Sequence, residues 1–212
     1  NLTATVTEQD VQLIWANYSG IPGSPGWLSY DDGTNYDGIG TGSSGTFDVA
    51  IRFDSGTMYG YEGMELSKVK YFPRSANTTY TIKVWTGNDG TLTPSTLVYS
   101  QAHTPTVNQW NEVVLNTPIP ISGTQALWIG YECVVATGAD YYPAGCDAGP
   151  AVVGYGDLIS LGTWESMATG YGLDYNWNLQ GYFDIPIGTK APKLLSIPVI
   201  NQELRSKEHL AV

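Results

Sequence analysis

The chain has 212 residues, 42% of them hydrophobic and 12% aromatic, with 25 glycines and only 14% charged residues. That is enough apolar material for a folded core and too much for a disordered chain. The formal net charge of −11 makes a surface that repels phosphate backbones and anionic bilayers, which excludes nucleic acid as an expected partner, and no apolar run approaches the ~18 residues of a membrane span.

In chain order, the opening reads as a hairpin. Leu2–Thr7 and Val11–Trp15 are alternating, β-rich runs joined by Glu8, Gln9 and Asp10. A Gly/Pro-dense loop from Gly20 to Gly26 ends the pattern and marks a candidate boundary. Short strands are then expected at Trp27–Tyr30, Phe47–Phe53, Glu65–Phe72, Thr79–Trp85, Thr96–Ser100, Asn111–Leu115, Ala126–Val135, Asp157–Ser160 and Asn176–Asp184. The run from Phe47 alternates cleanly, with Phe47, Val49, Ile51 and Phe53 on one face. The run from Glu65 does not, because Lys68 and Lys70 share a phase with Leu66 and Phe72. Gly87–Gly90, Thr117–Pro118 and Ser122–Gly123 read as turns, and Ser55–Gly63 is the one stretch that suits a helical turn. After Ile185 the chain becomes Pro-punctuated and then charged, like a linker or a truncated continuation. Many short strands without amphipathic helices between them predict an all-β antiparallel sandwich, with the strand tryptophans Trp85, Trp128 and Trp177 in its core.

Several stretches together resemble a module of large secreted surface proteins and proteases of Bacteroidetes-type bacteria. They are Trp27–Gly33, Phe47–Phe53, Leu66–Pro73, Tyr80–Gly87, Asn108–Val113, Leu127–Tyr131, Tyr142–Pro150 and Asp174–Tyr182. The resemblance implies a jelly-roll sandwich over residues 27–184, with a role in glycan binding or adhesion. Residues 1–16 are similar to the first two strands of a fibronectin type III domain into which the jelly roll is inserted, and residues 185–212 would then lead back to the rest. This implies a secreted or cell-surface location and a longer parent chain.

Catalytic patterns are sparse. The two histidines are His103, in a loop before Thr104-Pro105, and His209 in the tail, and no Gly-x-Ser-x-Gly elbow occurs. Glu62, Glu65, Glu112, Glu132 and Glu165 are candidates for the two carboxylates of a glycosidase, Glu132 above all because it lies on a strand. No two of them share a strand face two residues apart.

Calcium chemistry has a better local pattern. Asp31, Asp32, Asn35 and Asp37 lie in one Gly-containing loop, the oxygen-rich type of segment that Ca²⁺ uses, although the same residues also serve ordinary turns. Asp140, Asp147 and Asp157 offer a second set. Cys133 and Cys146 bracket a 12-residue loop; they form one disulfide, which would constrain that loop, or remain two buried thiols.

Glycan binding needs flat aromatic faces beside polar groups. Trp110 and Trp164, with the loop tyrosines Tyr36, Tyr142 and Tyr171, are the candidate contacts, since sandwich loops carry most binding sites. The sequence thus predicts a non-catalytic extracellular accessory module that binds a glycan or cell-surface ligand, with calcium as its one expected cofactor. A spacer domain without a ligand and a β-sandwich glycoside hydrolase are the alternatives.

Overall fold

The computed structural model describes residues 2–7, 10–15, 23–138 and 140–186, the first two segments as backbone only. The tail beyond Pro186, with His209, lies outside them, as does the start of the Gly20–Gly26 loop. The expected hairpin forms: β1 (Leu2–Thr7) and β2 (Asp10–Trp15) pair antiparallel in a two-stranded sheet of their own.

The body is all-β and antiparallel. One sheet orders β3 (Gly26–Ser29), β14 (Leu179–Asp184), β6 (Glu65–Tyr71) and β9 (Asn111–Pro120) side by side. The other orders β13 (Trp164–Ser166), β12 (Leu158–Ser160), β5 (Gly45–Phe53), β10 (Leu127–Val135), β7 (Thr78–Thr86) and β8 (Thr96–His103). Setting aside the three-residue strands leaves eight main strands in chain order. The first, eighth, third and sixth form one sheet, and the second, seventh, fourth and fifth the other. That interleaving is a jelly roll. A short sheet of β4 (Asp37–Ile39) and β11 (Ala144–Cys146) closes one end.

The alternation of the sequence becomes the core. Phe47, Val49, Ile51 and Phe53 from β5 meet Leu66, Val69, Tyr71, Leu179 and Phe183 of the opposite sheet in one buried cluster. The sheets approach closely at Gly181, where an added Cβ would lie 2.4 Å from Ile129 Cδ1 and 2.9 Å from Leu66 Cδ1. A residue with a side chain there would have to push both methyl groups aside.

The irregular phase of β6 has a local cause. Leu66 pairs with Phe183, and Lys68 pairs with Tyr182, so Ser67 is an extra residue on its strand. This β-bulge lets Leu66, Val69 and Tyr71 face inward while Lys68 and Lys70 face out. The expected turn at Pro118 lies inside β9 instead. The strand pairs on one side only, with β6, so a residue lacking an N–H is tolerated.

Two tryptophans expected in the sandwich core lie on its far side. Trp85 and Trp128 form a second cluster with Ala50, Ala126 and Leu158 on the outer face of the six-stranded sheet. Trp177 is in the main core, where its Nε1–H donates to the Leu158 carbonyl at 2.7 Å.

Among the described residues there are two helices, each of five residues. Helix α1 (Ser55–Tyr59) is capped by Asp54, whose carboxylate accepts from the Thr57 N–H. Helix α2 (Met167–Tyr171) starts at the cap residue Ser166 and ends at Gly172, with φ 69°.

Candidate functional site

The loops at one end of the sandwich hold most of the candidate residues: the segment after β3, the β6–β7 and β8–β9 connections, and the chain around β4 and β11. The Asp31–Asp37 loop is built from local turns. Asp31 accepts from the Gly33 N–H at 2.8 Å and from Gln180 Nε2 at 3.0 Å. Burial raises the Asp31 carboxyl above the usual carboxylate range, a rise that the Gln180 and Gly33 hydrogen bonds offset in part. Asp32 accepts from the Thr34 hydroxyl and N–H, which hold its carboxyl below that range. Asn35 donates to Asn178 Oδ1 at 2.7 Å and accepts from Arg74 at 3.2 Å, while Asp37 lies 3.5 Å from the same guanidinium.

The cation at this loop is therefore Arg74. The three carboxylates turn toward separate partners, and among the described residues no three His, Cys, Asp or Glu side chains are grouped to hold a metal ion. Of the four residues expected to hold calcium, Asp31 and Asp32 meet Gln180 and Thr34, and Asn35 and Asp37 meet Arg74. The second set is likewise engaged. Asp147 accepts from the backbone and side chain of Asn176, and the buried Asp157 accepts from Gly154, Ser166 and Ala168.

Trp110 adjoins this loop. Its Nε1–H donates to the Gly33 carbonyl at 3.2 Å, and its ring meets Phe72 edge-on at 5.9 Å. From there a belt of rings and cations runs across the outer face of the four-stranded sheet. Lys70 Nζ lies 4.8 Å from the Trp110 ring centre and 5.8 Å from that of Trp27. Trp27 packs edge-on against Tyr182 at 5.2 Å, and Lys68 Nζ lies 5.2 Å over Tyr182. Strand register sets this order: Lys70 stands beside Gln180 and Glu112, and Lys68 beside Tyr182. Lys68 takes the Glu112 carboxylate at 2.7 Å. All three residues are half-buried, so each keeps part of its surface open to solvent.

The other predicted aromatics scatter. Trp164 is half-buried on the opposite sheet, edge-on to Trp85 at 5.4 Å and to Trp128 at 5.7 Å, so its indole serves packing there. Tyr36 is exposed, with Tyr175 5.9 Å away. Tyr142 is exposed beside the short β4–β11 sheet, and Tyr171 is exposed at the end of α2. Trp27 and Tyr182 were missed by sequence reasoning. Their signal was the bulged phase of β6, which sets two lysines on the face those rings share.

Two further groupings carry charge or nucleophiles. On the outer face of the six-stranded sheet, Glu132 stands directly across from Asp48, and both accept from Lys83, at 2.8 and 2.9 Å. Burial raises the Asp48 carboxyl despite Lys83. Burial alone would lower Lys83, but its bonds to Glu132 and Asp48 outweigh this and raise it. His103 Nδ1 is 2.9 Å from the Tyr71 hydroxyl, and it borders a cleft of about 490 Å³ with Ser75, Thr78 and Thr106. Burial lowers the His103 pKa, so the ring stays neutral at physiological pH.

The expected disulfide is not formed. Cys133 and Cys146 are both free and buried. Cys133 points into the core from β10, flanked in register by Phe47 and Tyr80, whereas Cys146 belongs to the short end sheet. Burial pushes the Cys146 thiol up to about 12 and Cys133 well above its ordinary value, so both stay protonated packing groups.

No protein-family model matches this chain. A search of curated proteins also finds no match. Among solved structures it is similar to that of infectious bursal disease virus, Gx strain, at 10% identity and a TM-score of 0.30, covering 84% of this chain and 34% of that one. It is similar to the Gt strain structure at 12% identity and a TM-score of 0.28, covering 85% and 41%. The chain thus spans less than half the length of the viral chains it matches.

Proposed function

We propose that this chain is a non-catalytic, extracellular binding module of a larger secreted or cell-surface protein, and that it holds carbohydrate on the outer face of its four-stranded sheet. The observation that carries this reading is the row of half-open rings, Trp110, Trp27 and Tyr182, beside the polar groups of Lys70, Gln180 and Asp31. Pyranose rings present flat C–H faces to such rings while their hydroxyls bond the neighbouring polar groups. The sheet sets the position of these side chains, so little ordering is needed on binding.

A glycan array probed with the 212-residue chain tests it. Trp110→Ala and Trp27→Ala should each abolish or strongly weaken the signal, while Trp164→Ala should lower stability and leave glycan selectivity intact. Binding that survives both of the first two substitutions would overturn the assignment to this face. Absence of binding to any glycan would favour the spacer reading.

The glycosidase reading draws on one observation, the Asp48–Glu132 pair. Lys83 bonds both carboxylates, at 2.9 and 2.8 Å, so the pair is spent on a shared ion-pair cluster on that face. Hydrolysis by the parent that is lost in Glu132→Gln would establish the enzyme instead.

A further inference from the structure

We propose that the belt on the four-stranded sheet selects carboxylated sugars, that is, glycans containing uronic acids, with Lys70 as the group that reads the carboxylate. This rests on the carbohydrate-binding reading above and names its ligand class.

Positive charge is scarce in this acidic protein and most of it is spoken for. Five basic side chains are described, and four have their polar ends engaged. Arg52 donates to the carbonyls of Asp89 and Thr91, Lys68 pairs with Glu112, Arg74 with Asp37 and Asn35, and Lys83 with Asp48 and Glu132. Lys70 differs. Among the described residues no carboxylate lies within ion-pair distance of it, and its neighbours are the Trp27 and Trp110 rings. Glu112, its partner across the strands, is taken by Lys68. The rings hold the ammonium by cation–π attraction without supplying a carboxylate or carbonyl acceptor, so an N–H turned away from them is left for an incoming one.

The surroundings decide which anion fits. A pyranose set against the solvent-open surface of Trp110 or Trp27 would bring the carboxylate at its ring edge toward the Lys70 ammonium, and Gln180, beside Lys70 in register, would supply an amide for a ring hydroxyl. Asp31 and Glu112 flank the belt, and the whole chain carries −11. One charge per sugar is matched by one ammonium. A densely sulfated chain meets net repulsion instead.

The test uses the 212-residue chain at physiological salt, titrated calorimetrically with polygalacturonate, with the same polymer after carboxyl reduction, and with heparin. Polygalacturonate is expected to bind about tenfold tighter than its reduced, neutral form, the size of one charge-assisted hydrogen bond. Lys70→Gln should bring that ratio to about one with its melting temperature unchanged. Trp110→Ala should weaken both polymers together. Equal affinity of the parent chain for the two polymers would overturn the selection for carboxylates while leaving carbohydrate binding intact. Preference for heparin would overturn it as well, and a ratio that persists in Lys70→Gln would remove Lys70 from the role. Failure to bind either polymer or any glycan on the array would remove the carbohydrate reading itself.

Discussion

Asp157 is a fully buried carboxylate held by hydrogen bonds alone. Its Oδ1 accepts from the Gly154 N–H at 2.7 Å, and its Oδ2 accepts from Ser166 Oγ at 2.5 Å and the Ala168 N–H at 3.2 Å. It therefore ties the turn before β12 to the junction of β13 and α2, the segment that carries Trp164. Asp157→Ala leaves three donors facing a dry site. Each orphaned donor costs about 1–3 kcal/mol, and partial relaxation brings the total to about 3–5 kcal/mol. That is a large share of the ~5–15 kcal/mol by which a domain is stable. Asp157→Asn keeps one acceptor oxygen but turns an NH₂ toward donors, so it should cost less, about 2–3 kcal/mol. Equilibrium unfolding in urea, followed by tryptophan fluorescence, measures both. A loss under about 1 kcal/mol for the alanine variant, with an unchanged slope against urea, would refute this account of the site.

Other expectations follow from burial and register. Thiol titration should find no reactive cysteine in the native protein and two after denaturation without reductant; fewer than two would mean that Cys133 and Cys146 are bridged. The folded pKa of His103 lies below its unfolded value near 6.5, so its neutral form contributes stability that is present above that pH and is lost as pH falls through the folded pKa. His103→Gln should flatten the melting temperature between pH 7 and 5, and an unchanged slope would count against it. Asp31 has the opposite sign. Its raised folded pKa is a penalty at neutral pH that is relieved as pH falls through that pKa toward 3.8, so Asp31→Asn should melt no lower than the parent at pH 7. At Gly130 an added Cβ would meet the Val49 carbonyl oxygen at 2.1 Å and the Trp85 ring at 3.0 Å. Gly130→Ala should therefore cost about 3 kcal/mol or prevent folding, and a melting temperature near the parent's would show that β5 and β10 can part more easily than this.

Strand positions were legible because alternation and turn chemistry are local. The run from Phe47 to Phe53 became a strand facing the core, and the hairpin of β1 and β2 falls where its alternation ends. What was not legible depended on which face an element presents. Trp85 and Trp128 read as core residues and are buried, but under a second layer on the far side of their sheet, because alternation gives two faces without saying which is inside. Trp164 read as a loop ring available to a ligand, yet those same two rings draw it in. The Asp31–Asp37 loop was located, but its partners Gln180, Asn178 and Arg74 are far away in sequence, so which groups its acids meet could not be read from the loop. The three-residue strands β4, β11, β12 and β13 are too short for alternation to announce, and of these only β12 was expected.

The bulge at Ser67 also sets how this surface can change over descent. Upstream of it Leu66 faces the core, and downstream Lys68 and Lys70 face out, although the three stand at even spacing in the chain. Straightening the strand with Ser67 kept would force a choice between exposing Leu66 and burying two ammonium groups, whereas deleting Ser67 would leave Leu66 and Lys68 as neighbours on opposite faces. The outward face of the belt is therefore compatible with a bulged strand or with a regular strand one residue shorter, but not with a regular strand of the present length.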